Sequence, residues 1–209
     1  MNKQKVKTKT QLNGELERFS YALGMSVASN LIKSGVKTIN PEAFLKARND
    51  TFIGEMPEMM PDEANKILES FMEKANLEDV KGNLETGLEF LEKNRSKEGV
   101  TELPSGLQYQ VINEGDGDLP SLTDEVKCHY HGSLVDGTVF DSSIERGQPA
   151  VFPVNGVIQG WVEALQLMPV GSKWRLYVPP ELGYGQQGAG GVIGPNSTLV
   201  FDVELLEIV

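Results

Sequence analysis

Gly156-Val157-Ile158-Gln159-Gly160-Trp161 is the stretch on which the reading of this chain turns. Val157, Ile158 and Trp161 set two β-branched aliphatics and an indole side by side, between segments that read as strands. Ile158, Trp161, Val162 and Leu165 follow the i, i+3, i+4, i+7 spacing of one helical face. A helix this short is not stable alone and has to pack against a sheet. The plainest reading makes Trp161 a core residue. The stretch also lacks any acid, base or thiol able to make or break a covalent bond.

The sequence around it repeats with a period of two. Leu107, Tyr109 and Val111 alternate with polar neighbours, and Gly115-Asp116-Gly117 closes that strand. Val126, Cys128 and Tyr130 alternate with Lys127, His129 and His131. Asp136-Gly137 is a hairpin signal between Leu134 and Val139. Trp174, Leu176 and Val178 form another strand face, and Leu199, Phe201, Val203 and Leu205 a further one. About five strands and one short helix imply an α+β fold, an antiparallel sheet half covered by the Trp161 helix.

Before residue 97 the period is helical. Leu16, Phe19, Leu23, Val27 and Leu31 share a face over Glu15–Ile32, and Gly24 and Ala28 lie near it. Asn40-Pro41 is an N-cap followed by proline at the first helical position. A third pattern runs from Pro61 to about Ser96 through Gly82 and Gly87. If unbroken it spans about 35 residues or roughly 50 Å, too long for the inside of a small domain, and it predicts a stalk. The chain divides at this switch into a helical part, 1–96, and a sheet part, 97–209. Six of the seven methionines, Met168 excepted, lie in the helical part. Short amphipathic helices with a Met-rich surface predict homodimerisation through residues 10–75, rather than a self-contained bundle.

Charge separates the halves as well. Residues 1–100 carry 15 basic and 16 acidic side chains, and residues 101–209 carry 4 and 14, within a net charge of −11. So few cations in the second half argue against a nucleic-acid partner. No apolar run approaches the roughly 18 residues of a membrane span, so no membrane is expected. Met1–Lys9 is basic and reads as a solubilising terminus. Polar residues follow it instead of the apolar core of a secretory signal, so the expectation is cytoplasmic, with a periplasmic mature form as the alternative. Cys128, the only cysteine, sits in a strand pattern as a buried small hydrophobe.

Three reactive readings fail on the residues. His129 and His131 leave one face of a strand, yet no third His or second Cys exists to complete a metal site, and no metal is expected. Ser142 or Ser143 with a His and an Asp lacks the Gly-x-Ser-x-Gly elbow of a hydrolase, and Asp141-Ser142-Ser143 looks like a turn. Gly183-Tyr184-Gly185-Gln186-Gln187-Gly188 matches a dinucleotide fingerprint by letter, but Gly190, Gly191, Gly194 and Pro195 forbid the helix that must follow. No cofactor is therefore expected. Tyr130, Phe140, Phe152, Val157, Ile158, Trp161, Tyr184 and Phe201 remain, with Asp141 among them and Arg146 close by. Such a set suits an apolar peptide or small-molecule pocket.

At these residues the chain resembles the FKBP-type peptidyl-prolyl cis-trans isomerases. The resemblance lies in His129-Tyr130-His131-Gly132, the run from Asp136 to Ser143, Val157-Ile158-Gln159-Gly160-Trp161, Tyr184-Gly185, and the run from Pro195 to Leu205. A helical N-terminal half with Ser20-Tyr21-Ala22-Leu23-Gly24 is further similar to the dimeric Mip-like (FklB-like) bacterial subfamily. The resemblance implies a curved antiparallel sheet wrapped on the short helix, with Trp161 as the floor of a proline pocket. Tyr130, Phe140, Phe152, Val157, Ile158 and Phe201 would wall it. Tyr184 would hydrogen-bond a substrate carbonyl, the Ile158 amide would hold the chain beyond the proline, and Asp141 would lie near the twisting imide. Proline-containing polypeptides would be the substrates and tacrolimus or rapamycin possible ligands. A holdase or docking module using the same pocket is the alternative. Ala189 and Gly194-Pro195 depart from the family's usual residues on the loop over the pocket.

Overall fold

The structure is a computed structural model and describes residues 12–36 and 38–209. The basic start and any leader read from it lie outside the described residues. Helix α1 spans Glu15–Lys33, α2 Pro41–Ile53 and α3 Pro61–Asn94. Glu15 and Glu17 sit in the first turn of α1, where the helix dipole favours negative charge. The start of α2 is as the sequence predicts: the Asn40 side chain accepts from the Glu42 and Ala43 amides, each at 3.0 Å, and Pro41 follows. Gly54 ends it in the left-handed region at φ 72°, where a β-carbon would be strained.

Packing divides the described chain at Met60/Pro61, so α3 groups with the sheet. The period of the sequence changes later, near residue 96, because a helix keeps its period whatever it packs against. Within the second unit α3 runs unbroken for 34 residues through Gly82 and Gly87. From Val80 onward its less exposed positions, Val80, Asn83, Leu84, Gly87, Phe90, Leu91 and Asn94, recur with helical spacing. A β-carbon at Gly87 would run into Thr198 Oγ1, so glycine lets the helix approach. The Phe90 ring lies 5.8 Å from that of Tyr177. Asn94 is fully buried and donates to Gln108 Oε1 at 2.9 Å. The last four or so turns of α3 are therefore docked on the sheet unit, a contact that the stalk expected from the helix's length does not include. A docking glycine and two amides do not register in an apolar period.

Seven strands follow: β1 Val100–Glu102, β2 Gln108–Asn113, β3 Glu125–Leu134, β4 Val139–Ser142, β5 Ala150–Pro153, β6 Lys173–Val178 and β7 Leu199–Ile208. All pair antiparallel in the order β1-β2-β6-β7-β3-β4, and β5 also pairs with β3. β1 and β5 escape a sequence reading because three or four residues are too few to display alternation. One edge of β3 meets β7 along its length. Its other edge meets β5 at Glu125–Cys128 and β4 at His131–Ser133. The chain between β4 and β5 thereby leaves the sheet and returns, and Ser143 N donates to Tyr130 O at 3.0 Å as it goes. Register shifts in β3 against both β4 and β7 mark the bulges that bend the sheet.

Helix α4, Gln159–Leu165, packs on the inner face. Gly160 is the close approach: a β-carbon there would stand 2.7 Å from Val178 Cγ1. Trp161, Ala164 and Leu165 are buried in the core with Val126, Cys128, Leu176, Val203 and Leu205. Ile158 is the N-cap, extended at φ −61° and ψ 150°, so the helix starts one residue later than the apolar stripe. The Cys128 thiol is fully buried, and burial pushes it up to about 12, in keeping with a packing role.

Candidate active site

The inner face of the sheet opens beside α4 into a cavity of about 620 Å³. Each site residue named from the sequence lines it: Tyr130, Phe140, Asp141, Phe152, Val157, Ile158, Trp161, Tyr184 and Phe201. β3 supplies Tyr130, β4 supplies Phe140 and Asp141, β5 supplies Phe152, and β7 supplies Phe201. Val157 and Ile158 come from the turn into α4, and Tyr184 from the loop after β6.

Trp161 holds the rings together. Its indole meets Tyr130, Phe152 and Phe201 edge-on, with centroids 5.5, 5.9 and 5.3 Å away. Phe140 stands edge-on to Phe201 at 5.4 Å. These are the offset and T-shaped geometries that aromatic quadrupoles favour. Gly132 makes the arrangement possible, since a β-carbon there would lie 2.6 Å from Phe140 Cε2 and 2.9 Å from Phe201 Cε1. The indole is 4 % exposed, and its Nε1–H has no partner among the described residues. Beneath the cavity Trp161 thus packs the core with one part of its surface and lines the cavity with the rest.

One polar cluster sits on the rim. Tyr130 Oη donates to Asp141 Oδ2, Arg146 Nη1 donates to Asp141 Oδ1, and Arg146 Nη2 donates to Tyr130 Oη at 2.8 Å. The Arg146 guanidinium also lies over the Tyr130 ring, 5.5 Å from its centroid. Burial raises the Asp141 carboxyl, but the Tyr130 and Arg146 hydrogen bonds and the Arg146 charge outweigh it and hold the group below its usual value. Burial, followed by the hydrogen bond to Asp141, pushes the Tyr130 phenol up. Asp141 is accordingly an occupied, ionised carboxylate at neutral pH, poorly placed to act as a base.

Two residues of the cavity lining carry a hydrogen-bonding group without a partner among the described residues. Tyr184 is 41 % exposed, and the Ile158 amide donates to no carbonyl or side chain among the described residues. Val192 and Ile193 complete the wall on the side of Tyr184, with Ala189 and Gly190. Reading by sequence missed Val192 and Ile193, because an aliphatic pair inside a glycine-rich loop has no period to reveal it.

The other reactive candidates are tied into the frame. His129 Nδ1 lies 3.1 Å from Ser143 Oγ, and His131 Nδ1 lies 3.1 Å from Ser142 Oγ. Ser143 Oγ accepts from the Tyr130 amide at 2.7 Å, and Ser142 Oγ accepts from the Glu145 amide at 3.2 Å. Among the described residues no three His, Cys, Asp or Glu side chains are grouped to hold a metal. The Gly183–Gly188 stretch forms a one-turn 3₁₀ segment at Gly185–Gln187 and a loop, without the helix a dinucleotide requires.

Residues 117–206 match the family described as FKBP-type peptidyl-prolyl cis-trans isomerase, and residues 16–111 match the domain amino-terminal to it. The chain is 50 % identical over 192 residues to the FKBP-type 22 kDa peptidyl-prolyl cis-trans isomerase of Escherichia coli, covering 90 % of this chain and 93 % of that protein. The chain belongs to the FKBP-type isomerases. The crystal structure of FkpA from Escherichia coli superposes with a TM-score of 0.68 at 35 % identity, over 95 % of this chain and 98 % of that one. A further relative, 41 % identical over 206 residues with 95 % of this chain and 88 % of its own length covered, is named Outer membrane protein MIP, from Legionella longbeachae. That name lends no support to the cytoplasmic residence expected from the sequence. Among the described residues no helix is long and apolar enough to cross a membrane. This FKBP-type enzyme is a peptidyl-prolyl cis-trans isomerase, and its fold is the α+β arrangement of N-terminal helices followed by a curved antiparallel sheet.

Proposed function

We propose that this isomerase turns its substrates over in the 620 Å³ cavity, with the proline ring seated on the Trp161 indole. The single observation that carries this reading is the indole itself, framed edge-on by three rings in a pocket that holds no free base. X–Pro rotation faces a barrier of about 18–20 kcal/mol from amide resonance. No covalent bond breaks, so neither nucleophile nor metal is needed. Twisting decouples the nitrogen lone pair and leaves a less polar amide, which a dry aromatic pocket favours over water. Only contacts stronger in the twisted state raise the rate, and a thousandfold gain needs about 4 kcal/mol.

The unspent donors have natural partners in an extended substrate. Tyr184 Oη donates to a substrate carbonyl, and the Ile158 amide holds the chain beyond the proline. Phe140, Phe152, Val157 and Phe201 wall the ring. Asp141, fixed by Tyr130 and Arg146, places a steady negative charge beside the rotating imide. Tacrolimus and rapamycin would compete for the same surface. A protease-coupled assay on an X–Pro peptide tests this: acceleration that Trp161→Ala abolishes supports it, and full activity in that variant refutes it.

The helical part, residues 1–96, is proposed to make a homodimer carrying two isomerase domains, 97–209. Leu16, Phe19 and Leu23 on α1 stay 74, 63 and 48 % exposed, and α2 buries none of its residues. Apolar faces left open at this scale fit a second copy better than water. Light scattering on the full chain should return twice the chain mass, and a monomer overturns the dimer. Exposed Met56, Met59 and Met60 support a second reading, a chaperone grip on unfolded clients. If refolding of a protein substrate is lost on removing residues 1–60 while peptide turnover is kept, the grip belongs to the helices.

A further inference from the structure

The loop of residues 183–197 closes one side of the pocket and is held from outside by the long helix. Asn83 on α3 donates its side-chain amide to the Pro195 carbonyl at 2.8 Å. Asn196 Nδ2 reaches back to Val80 O at 3.5 Å. A β-carbon at Gly194 would stand 2.8 Å from Asn83 Nδ2, so glycine at that position lets the two segments meet. Inside the loop the Asn196 amide donates to Gly185 O at 2.8 Å, directly after Tyr184, and Ala189 and Ile193 exchange both backbone hydrogen bonds. Asn196 itself stands at φ 54°, a left-handed position that asparagine tolerates.

Hydrogen bonds joined by one or two residues of backbone therefore link α3, which lines no part of the pocket, to the stretch that carries Tyr184, Val192 and Ile193, which do. The loop needs such an anchor. Gly185, Gly188, Gly190 and Gly191 all sit at positive φ, and glycine-rich backbone has the most conformational freedom to lose. A wall that must be ordered by each arriving substrate weakens binding, and a wall ordered beforehand does not.

We infer that Asn83 is a positioning residue of this isomerase: through Pro195 it sets where Tyr184, Val192 and Ile193 stand over the proline pocket. It acts on substrate binding and not on the rotation step, which takes place against the Trp161 side. This inference rests on the reading of the cavity as the proline site.

The test uses the full chain with Asn83→Asp, which keeps the shape and removes the donor, and Asn83→Ala. Peptide turnover gives KM and kcat separately, and peptide titration followed by tryptophan fluorescence gives Kd. Losing one hydrogen bond of ordinary strength should raise KM and Kd about three- to tenfold in both variants, with kcat held within about twofold. Gly194→Ala should produce the same rise, and combining it with Asn83→Ala should add little, because both break one contact. An Asn83→Asp enzyme with unchanged KM and Kd, or a loss confined to kcat, overturns the inference. A wild-type chain that binds peptide without turning it over would instead defeat the catalytic reading, and the titration would still judge the latch.

Discussion

Replacing Gly132 with alanine sets two physical effects against each other. Gly132 lies in β3, where a strand glycine is ordinarily unfavourable, so propensity alone predicts that alanine stabilises by about 0.5–1 kcal/mol. The structure predicts the opposite sign. The new methyl would stand 2.6 and 2.8 Å from Phe140 Cε2 and Cζ, and 2.9 Å from Phe201 Cε1. Carbon atoms rest at about 3.5–4.0 Å, so both rings have to give, Phe140 by roughly 1 Å. Phe201 is 5 % exposed and wedged against Trp161, whereas Phe140 is half-buried and free to swing into the cavity. Such overpacking costs about 1–3 kcal/mol, which exceeds the gain from propensity. At about 2–4 °C per kcal/mol for a chain of this size, Tm should fall by several degrees. Peptide affinity should fall with it, because the displaced ring is a pocket wall. Gly82→Ala is the control: it lies on α3, its added methyl meets nothing within 4 Å, and it should raise Tm. Thermal melts of both variants decide the matter. A Gly132→Ala protein as stable as Gly82→Ala would show that the ring contacts do not constrain the sheet.

Other expectations bear on separate parts of the molecule. Trp161→Leu should weaken peptide binding by at least about tenfold while Asp141→Asn should chiefly lower kcat, given that apolar burial favours bound substrate and a fixed charge acts as the imide turns; equal effects on both constants would contradict this division. The Asp141 carboxyl is held below the usual 3.8, so its contribution to stability is complete above that pH and is lost as pH falls through the lower folded value. Arg146→Ala removes two of the groups' favourable contacts, and NMR titration of Asp141 should then place its midpoint at higher pH; an unmoved midpoint refutes the assigned cause. Cys128 should resist alkylation in the native protein at pH 8 and react at once in denaturant. Its raised pKa gives stability that is full below about pH 9 and declines as pH climbs towards 12, a decline that Cys128→Ala should lessen.

Much of this protein is legible in its sequence because the signals are local. The β3 and β7 alternation, the Asn40-Pro41 cap and the apolar run around Trp161 each depend on residues within a few positions of one another, where the periods of strand and helix operate. Tyr130, Trp161 and Phe201 of the site were legible for the same reason, while Phe140, Phe152 and Tyr184, at strand ends and in a loop, were read from residue type and from the resemblance. The short strands β1 and β5 were not, since so few residues carry no period.

Tertiary structure alone decided everything that depends on distant segments meeting. Gly87 interrupts an apolar helical pattern and Gly132 stands inside a strand, yet each is the gap into which Thr198 or two phenyl rings fit. Arg146 looked like a neighbour of Asp141 and proved to bind Asp141 and Tyr130 together. Asn83 carried no signal at all, and it meets Pro195 across 112 residues of chain. Periodicity tells a segment which of its faces is apolar, and the packed core then selects which segments share that face. The sequence by itself determined the longer elements and the apolar character of the pocket. The fold determined which groups are spent on structure, leaving the Trp161 indole, Tyr184 and the Ile158 amide in the cavity lining without a partner among the described residues.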